Sequence, residues 1–312
     1  AQPSRQPTRR WIAVIGLDLL SLVLIEVRVQ IAMSLPTPIT SALQGPSVAF
    51  GFWLTLPSGA LAKTIVHGSS CSSTKFSWIL IDAEHGLISD NHYYDASSRR
   101  SLAILTNAIA SEDASPIIRI PSAEEWMIKR ALDAGAHGIM VPMCHSEVHA
   151  TNIVKYAKYP PLGTRGYGPM FAPHSFRGVN AGPEYDDGAQ VGITIAVQIE
   201  SQSGVENVER IAAVDGVDVV FVGPFDLARQ MGITRGGEEH EAAIQRILKA
   251  THAVNKKAAI FCTDGLDALA RAKQGFDMIS VNTDVGVLRA GMLNELKTAN
   301  GEAMNSTSKD TY

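Results

Sequence analysis

From residue 47 onward, short apolar runs alternate with amphipathic stretches, and this alternation constrains the fold more than any other feature of the chain. The runs are 47–54 (SVAFGFWL), 78–82 (WILID), 116–120 (PIIRI), 138–142 (GIMVP), 193–199 (ITIAVQI), 217–222 (VDVVFV), 258–262 (AAIFC) and 278–282 (MISVN). Between them lie helical patterns at 123–134, 146–158, 203–213 and 239–255, with Gly135 and Gly275 placed as C-terminal caps. Continuous apolar strands joined by helical crossovers call for a parallel sheet covered on both faces. Eight of them predict an α/β (β/α)8 barrel of the TIM type rather than an open doubly wound sheet. Neither GxGxxG nor GxxxxGK[ST] follows the first run, which argues against dinucleotide and P-loop folds.

Composition narrows the function classes. With 312 residues, 46% of them hydrophobic, the chain can bury a large core, and a formal net charge of −4 gives no basic face for nucleic acid. Cys71, Cys144 and Cys262 are widely spaced and form no CxxC, so they read as reduced, buried thiols of a reducing compartment rather than a zinc site. Near the start, Arg5, Arg9 and Arg10 precede the apolar run 11–25, which Asp18 interrupts and Glu26 and Arg28 follow. That run is too short and too charged for a membrane span, and signal or transit segments are its alternatives. "MSLPTPIT" from Met33 reads like an ordinary cytosolic start, so residues 1–32 are expected to lie outside the working protein. The expected organisation is an N-terminal extension (1–45), a barrel domain (46–300) and a polar tail (301–312), in the cytoplasm, or in the mitochondrion if the extension is a transit segment.

Two stretches exceed a minimal barrel. "HGSSCSSTK" (67–75) reads as a solvated loop at the N-terminal face. Residues 159–192 lack periodicity, and a loop of that length in a compact domain is usually functional or disordered. It should return from the bottom of the barrel, yet its aromatics and arginines suggest an ordered segment able to reach an active-site mouth, its own or a neighbour's.

Barrels of this kind carry their chemistry at the C-terminal ends of the strands. The second run exits into Asp82, Glu84 and His85, the third carries Arg119, the fifth ends Gln198-Ile199-Glu200, and the sixth leads into Gly223-Pro224-Phe225-Asp226. Glu200 and Asp226 on adjacent strands suit a hard divalent cation with oxygen ligands, although either acid alone also reads as a helix cap. The Gly-Pro turn before a helix suits an anion. Arg119 is a fixed positive charge for a developing oxyanion, or else the partner of an acid across the mouth. Asp82 with His85 is a carboxylate–imidazole pair suited to proton transfer, or else a structural imidazole with its partner.

"WILIDAEHG", "IIRI", "DAGAHGIMVPM", "YPPLGTRGYG", "VQIE" and "GVDVVFVGPFDLARQMG" occur in an order and spacing that resemble the HpcH/HpaI aldolases of the phosphoenolpyruvate/pyruvate superfamily, over roughly residues 47–298. The resemblance implies a class II pyruvate aldolase that cleaves or forms 4-hydroxy-2-oxo acids through a metal-bound pyruvate enolate. It also implies a homo-oligomer, usually a hexamer with exchanged C-terminal helices, acting on a small 2-oxo acid and an aldehyde. It makes Glu200 and Asp226 the ligands of Mg²⁺ or Mn²⁺, with Co²⁺ a further candidate, and Arg119 the enolate-stabilising arginine. Asp82 and His85 become the acid–base dyad, with Glu84 the acid beside the histidine. Gln198, Gly223, Pro224 and the amides of Phe225 and Asp226 become the pyruvate-binding elements.

The same family contains macrophomate synthase, so oxaloacetate decarboxylation, with or without trapping of the enolate, is the alternative activity, with Tyr167 and Pro169 as candidate walls of a larger acceptor pocket. No strand end offers a Schiff-base lysine. A barrel that binds a 2-oxo acid without turnover is the non-enzymatic rival, and a metal-dependence assay separates it.

Overall fold

A computed structural model of the chain describes residues 35–70, 74–88 and 100–302. The expectations for residues 1–32, for Cys71 and for most of the polar tail lie outside these. The strands are β1 (Ala49–Leu54), β2 (Trp78–Asp82), β3 (Ser115–Arg119), β4 (Gly138–Val141), β5 (Thr194–Ile199), β6 (Val219–Val222), β7 (Lys257–Phe261) and β8 (Met278–Thr283). They close into a barrel in chain order, each neighbour parallel, with β8 returning to β1. The predicted (β/α)8 fold is therefore the observed one, and strand bounds differ from those expected by at most two residues.

Burial on both faces explains the unbroken apolar runs. Alternate residues such as Ile79, Ile81, Ile118 and Val220 point outward into the layer shared with the helices. Their neighbours Trp78, Leu80, Ile117, Met140 and Phe221 fill the interior. Gly51 is required there: a Cβ would lie 2.4 Å from the Trp78 indole, which instead turns inward and donates its Nε1–H to the Ala49 carbonyl at 2.9 Å.

The folded unit reaches back to Leu35, ahead of the boundary read at residue 46. Helix α1 (Pro38–Gln44), capped by Thr37, sends Ile39 and Leu43 into the interior cluster and closes the N-terminal end of the barrel. Seven residues gave too short a periodic pattern to show this in the sequence. Helix α2 (Gly59–Ser70) also runs through His67–Ser70, which the sequence reading had placed in a loop.

Helices α3 (Arg100–Ala110), α4 (Glu125–Asp133) and α5 (Glu147–Ala157) follow β2, β3 and β4. The stretch 159–192 is not structureless: it holds a 3₁₀ turn (Ala172–Ser175) and helix α6 (Pro183–Gly192). Its anchors lie at the bottom of the barrel. His137, just ahead of β4, donates from Nε2 to the Ser175 carbonyl at 2.8 Å, so its Nδ1 accepts the Ser115 hydroxyl at 3.1 Å, and that hydroxyl accepts the Ile39 N–H. Phe176 packs on His137 and Tyr185. Arg165, buried, reaches Asp133 and lies over the Tyr159 ring.

The pattern read as one helix at 203–213 breaks at Asn207 into α7 (Gln202–Glu206) and α8 (Val208–Ala212), the Asn207 amide donating to the His145 and Ser203 carbonyls. Helices α9 (Pro224–Met231), α10 (Glu238–Ala253), α11 (Gly265–Gln274) and α12 (Asp284–Ala299) complete the ring. Among the described residues no helix is long and apolar enough to cross a membrane.

Candidate active site

At the C-terminal mouth a cavity of about 290 Å³ is lined by Trp53, Asp82, His85, Arg119, Gln198 and Gly223–Asp226, with an apolar wall that includes Leu56, Leu87 and Phe261. The strand ends singled out in the sequence thus meet in one place. Glu200 lies directly behind this lining, its carboxylate held by Gln198.

Asp82 and Arg119 are register partners at the ends of β2 and β3. The guanidinium forks onto the carboxylate, Nε to Oδ1 at 2.9 Å and Nη2 to Oδ2 at 2.8 Å, while Nη1 stands 2.9 Å from Glu84 Oε2. Its carbon lies 4.9 Å from the centre of the Trp53 ring, which packs edge-on against Phe221 and Phe261. Burial works against such a charge, yet the Asp82 and Glu84 carboxylates outweigh it and raise the Arg119 pKa. Arg119 is accordingly both things the sequence allowed, an ion-paired residue and a fixed charge at the mouth. Burial works against the Asp82 anion too, but the guanidinium, with the amides of His85 and Glu84, holds its pKa below the ordinary carboxylate value. Those amides donate to Asp82 Oδ1 at 3.2 and 3.1 Å, shaping the turn after β2.

The Asp82–His85 dyad expected from the sequence does not form as a side-chain contact. Arg119 and the backbone take the Asp82 oxygens, and the half-exposed His85 imidazole instead stands 3.7 Å from Glu84 Oε1. Burial, only partly offset by Arg119 and His85, raises the Glu84 pKa, with Asp82 and Asp226 adding to it.

Gln198 on β5 and Glu200 just past its end are two residues apart and share the inward face. Gln198 Nε2 donates to Glu200 Oε2 at 2.6 Å, and Glu200 Oε1 accepts the Met143 N–H at 2.9 Å. Met143 takes a left-handed φ of 53°, a costly conformation for a side chain of that size, and thereby aims its N–H at the carboxylate. Burial pushes the Glu200 pKa up to about 7, the Met143 N–H opposing and the Asp226 charge adding. Gly223 precedes α9 and keeps its chain against this pair. Helix α9 then turns its N-terminal end, the positive end of its dipole, toward the cavity.

The residues present fit a divalent cation. Asp82, Glu84 and Glu200 share the positive charge of Arg119, and burial, with the Asp226 charge adding, drives Glu84 and Glu200 toward their neutral forms. The Gln198 Oε1 atom is buried without a hydrogen-bond partner among the described residues. Among those residues no three His, Cys, Asp or Glu side chains converge as a closed metal cage. An all-oxygen set of two acids suits Mg²⁺ or Mn²⁺ bound largely through water and substrate.

The sequence profile of the HpcH/HpaI aldolase/citrate lyase family matches residues 50–290. The chain belongs to this family. A hydroxypyruvate/pyruvate aldolase of Chromohalobacter salexigens is 34% identical over 273 residues, 86% of this chain and the whole of that one. A 5-keto-4-deoxy-D-glucarate aldolase of Salmonella arizonae is 32% identical over 259 residues, 82% and 94% of the two chains. A crystal structure of a family protein from Burkholderia cenocepacia superposes with a TM-score of 0.74 at 31% identity, covering 85% of this chain and all of that one. The HpcH/HpaI protein described here is thus a carbon–carbon lyase with aldolase relatives.

Several groups at the site escaped the sequence reading. The Met143 amide carries no signature in a side-chain search. Trp53, Leu56, Leu87, Phe261 and Val285 line the cavity but look like core residues when read one strand at a time. Tyr167 and Pro169, expected to wall an acceptor pocket, are not among the residues lining the cavity in this chain: Tyr167 is exposed and bonded to Asp186, and Pro169 is buried.

Proposed function

We propose that this protein is a class II pyruvate aldolase, cleaving and forming 4-hydroxy-2-oxo acids with a divalent cation held by Glu200 and Asp226. The observation that carries the reading is the buried Glu200 carboxylate, fixed by the Met143 N–H and Gln198, whose charge burial and the neighbouring Asp226 both disfavour. When bound, the cation supplies Lewis-acid polarisation of the substrate's 2-oxo group.

The chain's own residues supply the rest. The N-terminal end of α9, at Phe225 and Asp226, receives the substrate carboxylate, and Gln198 orients the 2-oxo acid. In cleavage the 4-hydroxyl loses its proton to water or His85 and its C–O bond becomes the aldehyde carbonyl. The C3–C4 bond breaks, and its electron pair moves onto C3 and the 2-oxo oxygen, giving pyruvate enolate. The Arg119 guanidinium, locked by Asp82 and Trp53, faces that oxyanion without having to reorganise. A proton returned to C3 completes pyruvate. Glu84, 3.7 Å from the imidazole, orients His85 and stabilises its protonated form.

Along α12, Leu288, Met292 and Leu296 are exposed at a helical spacing of four, an apolar stripe that supports assembly with further copies, a hexamer by resemblance. The cytoplasm is the proposed location.

The test is pyruvate release from 4-hydroxy-2-oxoheptanedioate and from oxaloacetate, with Mg²⁺ or Mn²⁺ and with chelator. Release that depends on the cation and is lost in Glu200→Gln supports the proposal. Undiminished release under chelation, or trapping of the substrate by borohydride as a lysine adduct, overturns it.

A further inference from the structure

The cavity that holds Arg119 opens into a second groove of about 930 Å³. His85, Phe225 and Asp226 line both, so the two meet beside the imidazole proposed to take the proton of the 4-hydroxyl, at the aldehyde end of the substrate. The outer groove is formed by the last turn of α9 and the loop after it, including Arg229, Ile233 and Arg235. The Arg229 side chain is exposed and makes no hydrogen bond or ion pair to another side chain among the described residues. The Arg235 guanidinium lies over the Phe225 ring at 4.3 Å, which fixes a second positive charge on the same wall. The one acid lining this groove is Asp226, which the proposed cation engages. What remains is the Arg229 charge, on a channel leading away from His85, and a neutral acceptor would leave that charge unmatched.

We propose that Arg229, supported by Arg235, binds an anionic group at the far end of the acceptor aldehyde and so sets acceptor preference. The inference rests on the aldolase reading above and adds the residues that select the acceptor. A guanidinium is suited to either a carboxylate or a phosphate, each of which it binds through paired N–H donors.

The experiment is aldol synthesis from pyruvate with succinic semialdehyde, glyceraldehyde 3-phosphate and the neutral butanal, by the full chain and by the Arg229→Gln, Arg229→Lys and Arg235→Gln variants. Wild-type enzyme is expected to favour an anionic aldehyde, with a KM for it that rises with salt. Arg229→Gln should lower the kcat/KM ratio of anionic acceptor to butanal by about tenfold, the scale of one lost charge-assisted hydrogen bond. Arg229→Lys should restore part of it, and Arg235→Gln should lower it less. The two anionic aldehydes separate carboxylate from phosphate recognition. An unchanged ratio in both glutamine variants overturns the proposal. Pyruvate methyl exchange by wild-type enzyme distinguishes the two failures: exchange with an unchanged ratio defeats only the acceptor assignment, and no exchange defeats the aldolase reading beneath it.

Discussion

Replacing Gly223 by alanine tests the geometry of the site with one methyl group. A Cβ there would stand 2.3 Å from Glu200 Oε2, 2.5 Å from Gln198 Nε2 and 3.1 Å from Glu200 Cβ. Ordinary carbon–oxygen contacts lie about 1 Å further out, so either the carboxylate swings away or the chain ahead of α9 retreats. Both motions spoil the same site. The first breaks the 2.6 Å bond from Gln198, and the second moves Asp226. A displacement of about 1 Å in a catalytic group costs on the order of 10²-fold in rate, and overpacking costs about 1–3 kcal/mol of stability. Gly223→Ala should therefore fold, lose about 10²-fold in oxaloacetate turnover and bind Mn²⁺ at least tenfold more weakly by titration calorimetry. Circular dichroism should match the wild type. Wild-type Mn²⁺ affinity and turnover in a folded Gly223→Ala protein would refute the placement of Glu200 as a cation ligand.

Arg119→Lys keeps the charge but loses the fork onto Asp82, and kcat should fall about 10²–10³-fold in the pyruvate-release assay. His137 is buried and its pKa is pushed down by that burial to about 4, so the folded state favours the neutral ring. Its contribution is fully present above the unfolded value of 6.5 and is lost as pH falls toward 4. The loss should amount to about 2 kcal/mol by pH 5 in urea unfolding, and His137→Gln should lack it. Burial also pushes the Cys144 thiol up to about 12 and that of Cys262 higher, so neither should react with a disulfide reagent at pH 8 until the protein unfolds.

The barrel was legible because each strand is buried on both faces and so appears as an unbroken apolar run. Charged residues that end such a run have few roles other than at the mouth, which is why Asp82, Arg119, Glu200 and Asp226 could be read from four separate places. What partners what could not be read in the same way. Asp82 and Glu84 are equivalent candidates for His85 in the sequence. Only the register of β2 against β3, which sets Asp82 opposite Arg119, commits Asp82 to the guanidinium and leaves Glu84 for the imidazole. The stretch 159–192 was open for a similar reason. Its tie to the bottom of the barrel depends on Ser175 meeting His137, a contact across 38 residues that no local pattern encodes. Arg229 passed unnoticed because an arginine in the last turn of a helix is also what the helix dipole favours.

The central claim is that this mouth makes pyruvate enolate, and the most direct measurement is exchange of the pyruvate methyl protons for deuterium, followed by proton NMR in D₂O without any aldehyde. With Mg²⁺ the methyl signal should decay over the wild-type protein. It should persist with EDTA, and decay at least 10²-fold more slowly with Glu200→Gln or Arg119→Lys. A methyl signal that persists over folded, Mg²⁺-loaded wild-type protein would contradict the account.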